Sequence, residues 1–316
     1  LNLSDDFREI APVDGEPTLV LWNPASGCAA RCTALREQFQ RLPTVKLVDT
    51  ENSQHCCRLA ASAAAEGFRH VIAAGGDGTV NVALNGIMQH TPRPSFAVLP
   101  IGTANDFAQT LAIPEDLMLA AGVALSGPRR TLDVIEYEAG GQRRWFANIA
   151  AGGNSHEVTR QLTSELKRRW GPLCYLRGAL NVITDLQAFE TTVTIDAQPP
   201  ERMTVWNVIV ANGRTNAGHL QVAPRANPED GLLDVILIRD GDILDLPSLL
   251  VQYAISDYLA SDQVHYRQAH SVRFESTPTL RFSIDGETLL EQPTVFRAVP
   301  QAVRMAVGPE YRAEPL

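Results

Sequence analysis

The chain has 316 residues, of which 45% are hydrophobic and 20% charged, with a formal net charge of −9. That length predicts two domains rather than one, and the composition is that of an ordinary globular protein. The negative balance excludes general nucleic-acid binding, which needs a positive field over phosphates, and any global attraction to anionic lipid.

The first third alternates strand-like and helix-like segments. Thr18–Trp22 reads as a buried strand broken by Asn23-Pro24-Ala25-Ser26-Gly27, and Arg31–Leu42 carries Leu35, Phe39 and Leu42 at helical spacing. Val45–Asp49 is a short strand, and Ser53–Glu66 an alanine-rich helix ended by Gly67. His70–Ala74 is a strand running into Gly75-Gly76-Asp77-Gly78-Thr79, with a helix over Thr79–Gln89. Phe96–Leu99 is a fourth strand, followed by helices near Ala104–Leu111 and Pro114–Leu125. Such alternation implies a parallel sheet with helices on its faces.

The pattern changes near Thr131. Thr131–Glu138 and Arg143–Ile149 read as strands around Gly140-Gly141, a hairpin signal. Leu173, Leu176, Leu180, Ile183 and Leu186 recur at helical spacing between Gly171 and Phe189. The basic stretch Lys167–Trp170 just ahead of them makes this helix a candidate for contact with a membrane surface, against the simpler reading of packing on its own domain. Strands are then expected at Thr191–Asp196, Met203–Ala211, Leu232–Arg239, Val264–Glu275, Thr279–Ile284, Val295–Val299 and Ala302–Val307, with one helix at Leu244–Tyr258. The second region is thus a β-rich antiparallel domain. The expected division is 1–130 with returning strands 297–316, and 131–296.

Three glycine- or asparagine-bearing loops each follow a strand of the first region. Gly75-Gly76-Asp77-Gly78-Thr79 opens a helix, so its backbone can approach a ligand closely and its N–H groups face outward. That suits a phosphate chain, with Asp77 placed to act through a metal ion. Pro100-Ile101-Gly102-Thr103-Ala104-Asn105-Asp106 repeats the arrangement, and a parallel sheet would bring both loops, and Asn23–Gly27, to one carboxyl edge. A Walker A loop is excluded: the two lysines, Lys46 and Lys167, do not follow glycine. Five cysteines without a CxxC pair fit neither a disulfide framework nor a zinc site, and suit a reducing cytosol. The opening LNLSDDFREI lacks the basic start of a secretory signal, and no apolar run reaches the roughly 18 residues of a membrane span.

Taken together, GGDGT, then Asn81-x-x-x-Asn85-Gly86, then Leu99–Ala108 resemble the diacylglycerol kinase catalytic domain, in its soluble bacterial form related to sphingosine and ceramide kinases. Asn23–Gly27 is similar to that family's opening element, Asp230-Gly231-Leu232-Leu233-Asp234 to its DGxLD stretch, and Asp285-Gly286-Glu287 to its DGE ending. The resemblance implies an α/β nucleotide-binding domain and a C-terminal antiparallel β-sandwich, with the active site in the cleft between them. It implies that Asn23, Ser26, Gly75, Gly76, Gly78, Thr79, Gly102, Thr103 and Asn105 bind ATP, and that Asp77 faces the phosphates and Mg²⁺. Asp285 would be general base on a lipid hydroxyl, with Glu287 beside it and Asp133 joined to the acidic network. Asp230, with carbonyls near Asn227 and Leu232, would hold a second, structural metal. The implied activity is transfer of the ATP γ-phosphoryl group to diacylglycerol, phosphatidylglycerol or a sphingoid base, by a cytoplasmic protein in peripheral contact with the inner membrane face. The rivals are a kinase acting on NAD, which shares GGDGT, and a non-catalytic lipid-binding or regulatory protein on a kinase fold.

Overall fold

The computed structural model describes residues 15–154, 186–216, 220–241, 258–285, 287–288 and 295–314. The chain divides into two units: Leu1–Val134 with Trp145–Ala147 and Pro300–Ala313, and Ile135–Arg144 with Asn148–Val299 and Glu314–Leu316.

In the first unit, strands β1 (Thr18–Trp22), β2 (Val45–Asp49), β3 (His70–Gly75) and β4 (Ser95–Pro100) are parallel. The order is β4-β3-β1-β2, with the last strand of the chain, β17 (Val295–Ala306), added beside β4 in parallel through Met305 and Phe96. β1 and β3 are buried along their whole length, as expected for parallel strands covered on both faces. The helices are α1 (Thr33–Arg41), α2 (Ser53–Ser62), α3 (Asp77–Met88), α4 (Asp106–Thr110) and α5 (Leu117–Ser126). Val80, Ala83, Leu84, Ile87 and Met88 give α3 its buried stripe. Helix α2 is capped by Asn52, whose side chain accepts the His55 N–H, and α5 by Asp116, which accepts from Met118 and Leu119. Gly86 lets α2 and α3 meet: a Cβ there would lie 2.4 Å from the Cys57 carbonyl oxygen.

In the second unit the strands are β7 (Ile149–Gly153), β8 (Phe189–Ile195), β9 (Glu201–Ala211), β12 (Leu233–Arg239), β13 (Val264–Ala269), β14 (Ser271–Thr277), β15 (Phe282–Ile284) and β16 (Glu287–Thr288). The short pair β10 (Thr215–Asn216) and β11 (Leu220–Gln221) stands apart, and β5 (Arg129–Ala139) and β6 (Gln142–Phe146) each cross the unit boundary. Pairing among β15, β7, β9, β8 and β14, and among β9, β12 and β13, is antiparallel. One core joins Phe274, Phe282 and Phe296, with ring centroids 5.1 to 6.1 Å apart. Another joins Ile149, Trp206, Ile209, Ile236, Tyr258 and Val264. The unit is a β-sandwich-like antiparallel fold, and the expected α/β-plus-β-sandwich class holds.

Some elements differ from the periodicity. The strand expected over Val264–Glu275 breaks at His270, because the Asp196 carboxylate accepts the N–H groups of both His270 and Ser271 in place of ladder partners. The two strands expected at Val295–Val299 and Ala302–Val307 are one, bent at Gln301, which takes a left-handed φ of 48°. Arg143–Ile149 is split between β6 and β7, and Phe189 opens a strand rather than ending a helix. The segments expected as helices at Gly171–Phe189 and Leu244–Tyr258 lie, apart from their last residues, outside the described residues, as does Lys167–Trp170. Among the described residues no helix is long and apolar enough to cross a membrane.

Candidate active site

The in-register pairing of β1, β3 and β4 brings Trp22, Ala74 and Leu99 to one level, so the loops that follow emerge at a common carboxyl edge. The loop after β1 is an Asx turn, in which the Asn23 side-chain oxygen accepts the Ala25 N–H. Its amide nitrogen is then free to reach out and donate to Thr79 Oγ1, 2.8 Å away in the first turn of α3. The Cys28 N–H donates to the Ile101 carbonyl at 2.9 Å, tying the same loop to the one after β4.

The two glycine loops pack backbone on backbone. A Cβ on Gly102 would sit 2.3 Å from the Gly76 Cα, and one on Gly27 3.0 Å from Thr103 Oγ1. Asn105, at φ 55°, closes its loop by accepting the Gly102 N–H and donating to the Gly102 carbonyl. Gly76 is the N-cap of α3 and offers no side chain as a capping acceptor. By their place in the first turn, the N–H groups of Gly78 and Thr79 have no helical acceptor and lie at the positive end of the helix dipole. Asn23, Ser26, Gly75, Gly76, Gly78, Thr79, Gly102, Thr103 and Asn105 are therefore gathered at three touching loops.

Asp77 belongs to this group through its carboxylate. Its Oδ1 accepts the Phe107 N–H at 3.1 Å, joining the start of α3 to the start of α4. Burial raises its proton affinity, with a further push from the neighbouring Asp106 charge, while the backbone N–H of Phe107 opposes both. Asp133 is not brought to this edge. It is fully buried in β5 and accepts the Gln301 N–H at 2.7 Å, four residues ahead of the Met305 that pairs near the amino end of β4.

The spacing Asn81-x-x-x-Asn85 also finds its partner here. Asn85 donates to the Trp145 carbonyl at 2.7 Å and accepts the Trp145 N–H at 3.0 Å, so a helix side chain mimics a neighbouring strand. The i, i+4 spacing of two amides on one helix face was the available signal, but the partner is 60 residues away.

In the second unit, Asp285 sits in the tight turn between β15 and β16, where Ile284 pairs with Glu287. Its φ of 45° is left-handed, a conformation that aspartate tolerates better than most residues. Its N–H donates to the Ile149 carbonyl at 3.0 Å, and its Oδ1 accepts the Ile149 N–H at 3.1 Å. Asp230 shapes another turn: Oδ1 accepts the Leu232 N–H at 2.9 Å and Oδ2 the Gln268 amide at 3.3 Å, while Asn227 Oδ1 accepts the Glu229 N–H at 3.0 Å. Burial raises the proton affinity of Asp230 too. Among the described residues no group of three or more His, Cys, Asp or Glu side chains converges as a metal cage.

Fold and loops together define a parallel α/β domain with a phosphate-type loop cradle, continued in sequence by an antiparallel β-sandwich-like unit. Residues 17–137 match the family model of the diacylglycerol kinase catalytic domain, and residues 147–307 that of the YegS C-terminal NAD kinase beta sandwich-like domain. The chain is 28% identical over 274 residues to a diacylglycerol kinase of Bacillus subtilis, covering 85% of this chain and 88% of the relative. It is 30% identical over 224 residues to a diacylglycerol kinase of Staphylococcus aureus strain Newman, covering 70% and 69%. A crystal structure of a diacylglycerol kinase from Bacillus anthracis shares the fold, with a TM-score of 0.75 at 23% identity over 93% of this chain and 98% of that one. The chain belongs to the diacylglycerol kinase family of lipid kinases.

Proposed function

We propose that the chain transfers the γ-phosphoryl group of ATP to the hydroxyl of a lipid of diacylglycerol, phosphatidylglycerol or sphingoid type. The observation that carries this reading is the cradle in which Asn23 reaches Thr79 while Gly76 and Gly102 touch. Such a cradle gathers the backbone of three loops at one edge, and the α3 N-terminus supplies N–H donors for phosphate oxygens in place of a Walker lysine. Phosphoryl transfer calls for positioning and charge neutralisation more than for covalent help.

The family implies Mg²⁺. Asp77 and Asp106 feel each other's charge beside this cradle, and the donors available are hard oxygens. One or two carboxylates next to bound phosphates suit Mg²⁺, which keeps few protein ligands, so the residues fit. Asp77 would hold the ion, and the ion would neutralise charge developing on the phosphates. Asn23, Ser26, Gly75, Gly76, Gly78, Thr79, Gly102, Thr103 and Asn105 bind and orient the nucleotide. Asp285 accepts the proton of the lipid hydroxyl as its oxygen attacks the γ-phosphorus and the bond to the β-phosphate oxygen breaks, releasing ADP. Glu287, three residues from the strand partner it closes upon, supports that step. At the Asp230 turn, Oδ1 accepts the Leu232 N–H and Oδ2 the Gln268 amide, and a carboxylate keeps further lone-pair capacity, which with the Asn227 and Leu232 carbonyls suits a structural cation. The lipid acceptor implies work at the cytoplasmic membrane surface.

The test is transfer of label from γ-labelled ATP, with Mg²⁺, to a panel of these lipids in detergent micelles, with NAD as soluble control. A labelled lipid supports the reading and names the acceptor. Label in NAD alone points to an NAD kinase activity, and label in nothing to a non-catalytic role.

A further inference from the structure

The carboxylate of the proposed base accepts the N–H of the Asn148–Ile149 peptide, and that peptide is itself held by a buried asparagine. The Asn148–Ile149 peptide is planar and rigid. On one side its carbonyl, that of Asn148, accepts the N–H groups of Asn212 at 2.9 Å and Gly213 at 3.0 Å. On the other its N–H, that of Ile149, donates to Asp285 Oδ1 at 3.1 Å. Two donors on an amide oxygen polarise the amide and strengthen its N–H as a donor. The Asn148 side chain closes the arrangement by donating Nδ2 to the Thr215 carbonyl at 2.8 Å. One residue thereby grips both ends of the turn from Asn212 to Thr215, and Asn148 and Asn212 are only 2% and 1% exposed.

We propose that Asn148 is a positioning residue for Asp285: through the 148–149 peptide it fixes where the carboxylate points. A non-glycine residue at a left-handed φ persists where its surroundings hold it, and the two-way bonding to Ile149 does so for Asp285. The proposal rests on the reading of Asp285 as base. It does not require Asn148 to touch substrate.

The experiment compares Asn148→Ala, Asn148→Ser, Asp285→Asn and the Asn148→Ala/Asp285→Asn double variant with the parent chain. Turnover of the lipid that the parent labels best, KM for ATP, thermal melting and hydrogen exchange in peptides spanning Ile149 and Asp285 are measured. The expected result is a kcat loss of roughly 10- to 100-fold in Asn148→Ala, as for other small misplacements of reacting groups, with KM for ATP within about twofold. In the Asp285→Asn background the same substitution should cost less than about twofold more, because residues acting as a unit are not additive. Faster exchange at Ile149 should accompany the loss. A folded Asn148→Ala with unchanged kcat, or losses that multiply in the double variant, would overturn the proposal. If Asn148→Ala does not fold, Asn148→Ser decides by the same criteria. If the parent labels no lipid, the kinase reading fails separately, and unchanged exchange at Ile149 in Asn148→Ser would still refute the grip of Asn148 on Asp285.

Discussion

The side-chain amide of Asn23 donates to the hydroxyl of Thr79 across 2.8 Å, joining the loop after β1 to the first turn of α3. Two residues that lie 56 positions apart are thereby fixed as one wall of the cradle. Asn23→Leu keeps the size but removes the donor and the Asx turn. It should raise KM for ATP by about tenfold, the loss of roughly one hydrogen bond, with a smaller effect on kcat. Steady-state kinetics at saturating lipid would measure it; an unchanged KM would remove Asn23 from the nucleotide site.

Asp77 has two separable features, a hydrogen bond that joins α3 to α4 and a charge. Asp77→Asn keeps an oxygen to accept the Phe107 N–H and discards the charge. It should melt within a few degrees of the parent yet lose on the order of 100-fold or more in kcat, whereas Asp77→Ala should lose both properties. Equal melting losses in the two variants would mean that the charge, not the tie to Phe107, is what the fold uses.

The α2–α3 contact has no room at Gly86. In Gly86→Ala the new methyl carbon would meet the Cys57 carbonyl at 2.4 Å and Ala60 Cβ at 2.6 Å, so the helices must part. The expected cost is about 1–3 kcal/mol, read from chemical denaturation, despite the better helix propensity of alanine.

His70 is fully buried, its ring nitrogens bonded to Ser95 and to the Ala124 carbonyl. Burial first, and then the Arg129 charge, lower its pKa to about 4. Above the unfolded-state value near 6.5 both states are neutral and the residue has no pH-dependent effect. As pH falls from there towards 4, the unfolded chain takes up a proton that the folded one refuses, and stability drops by on the order of 3 kcal/mol. His70→Gln should flatten that part of the melting curve against pH. Parallel curves for parent and variant between pH 7 and 4 would contradict the burial argument.

Much of the first unit was legible because its signals are local. Buried parallel strands read as unbroken apolar runs, and glycine loops after them read as turns, so Thr18–Trp22 is where the pattern puts it and the strand read as His70–Ala74 runs one residue further, to Gly75. The bend at Gln301 and the break at His270 were hidden, since each is made by a carboxylate distant in sequence, Asp133 and Asp196, taking a backbone N–H. Nothing near Asn148 or Asn85 names Thr215 or Trp145 as partner. Likewise, nothing near Asp133 in sequence names the Gln301 N–H that its carboxylate accepts.

Strand β17 contributes Val295–Val299 to one unit, paired with β14 through Ser271–Arg297, and Pro300–Ala306 to the other, beside β4. A ribosome delivers these residues after the strands β4 and β14 that they join. The sheet begun by Thr18–Trp22 therefore waits until Val295–Ala306 has been made before the strand beside β4 arrives, and the second unit waits with it. Neither half can be completed during synthesis ahead of the other, so a stop codon before Val295 leaves both with an open sheet edge, and quality control meets two unfinished units in place of one.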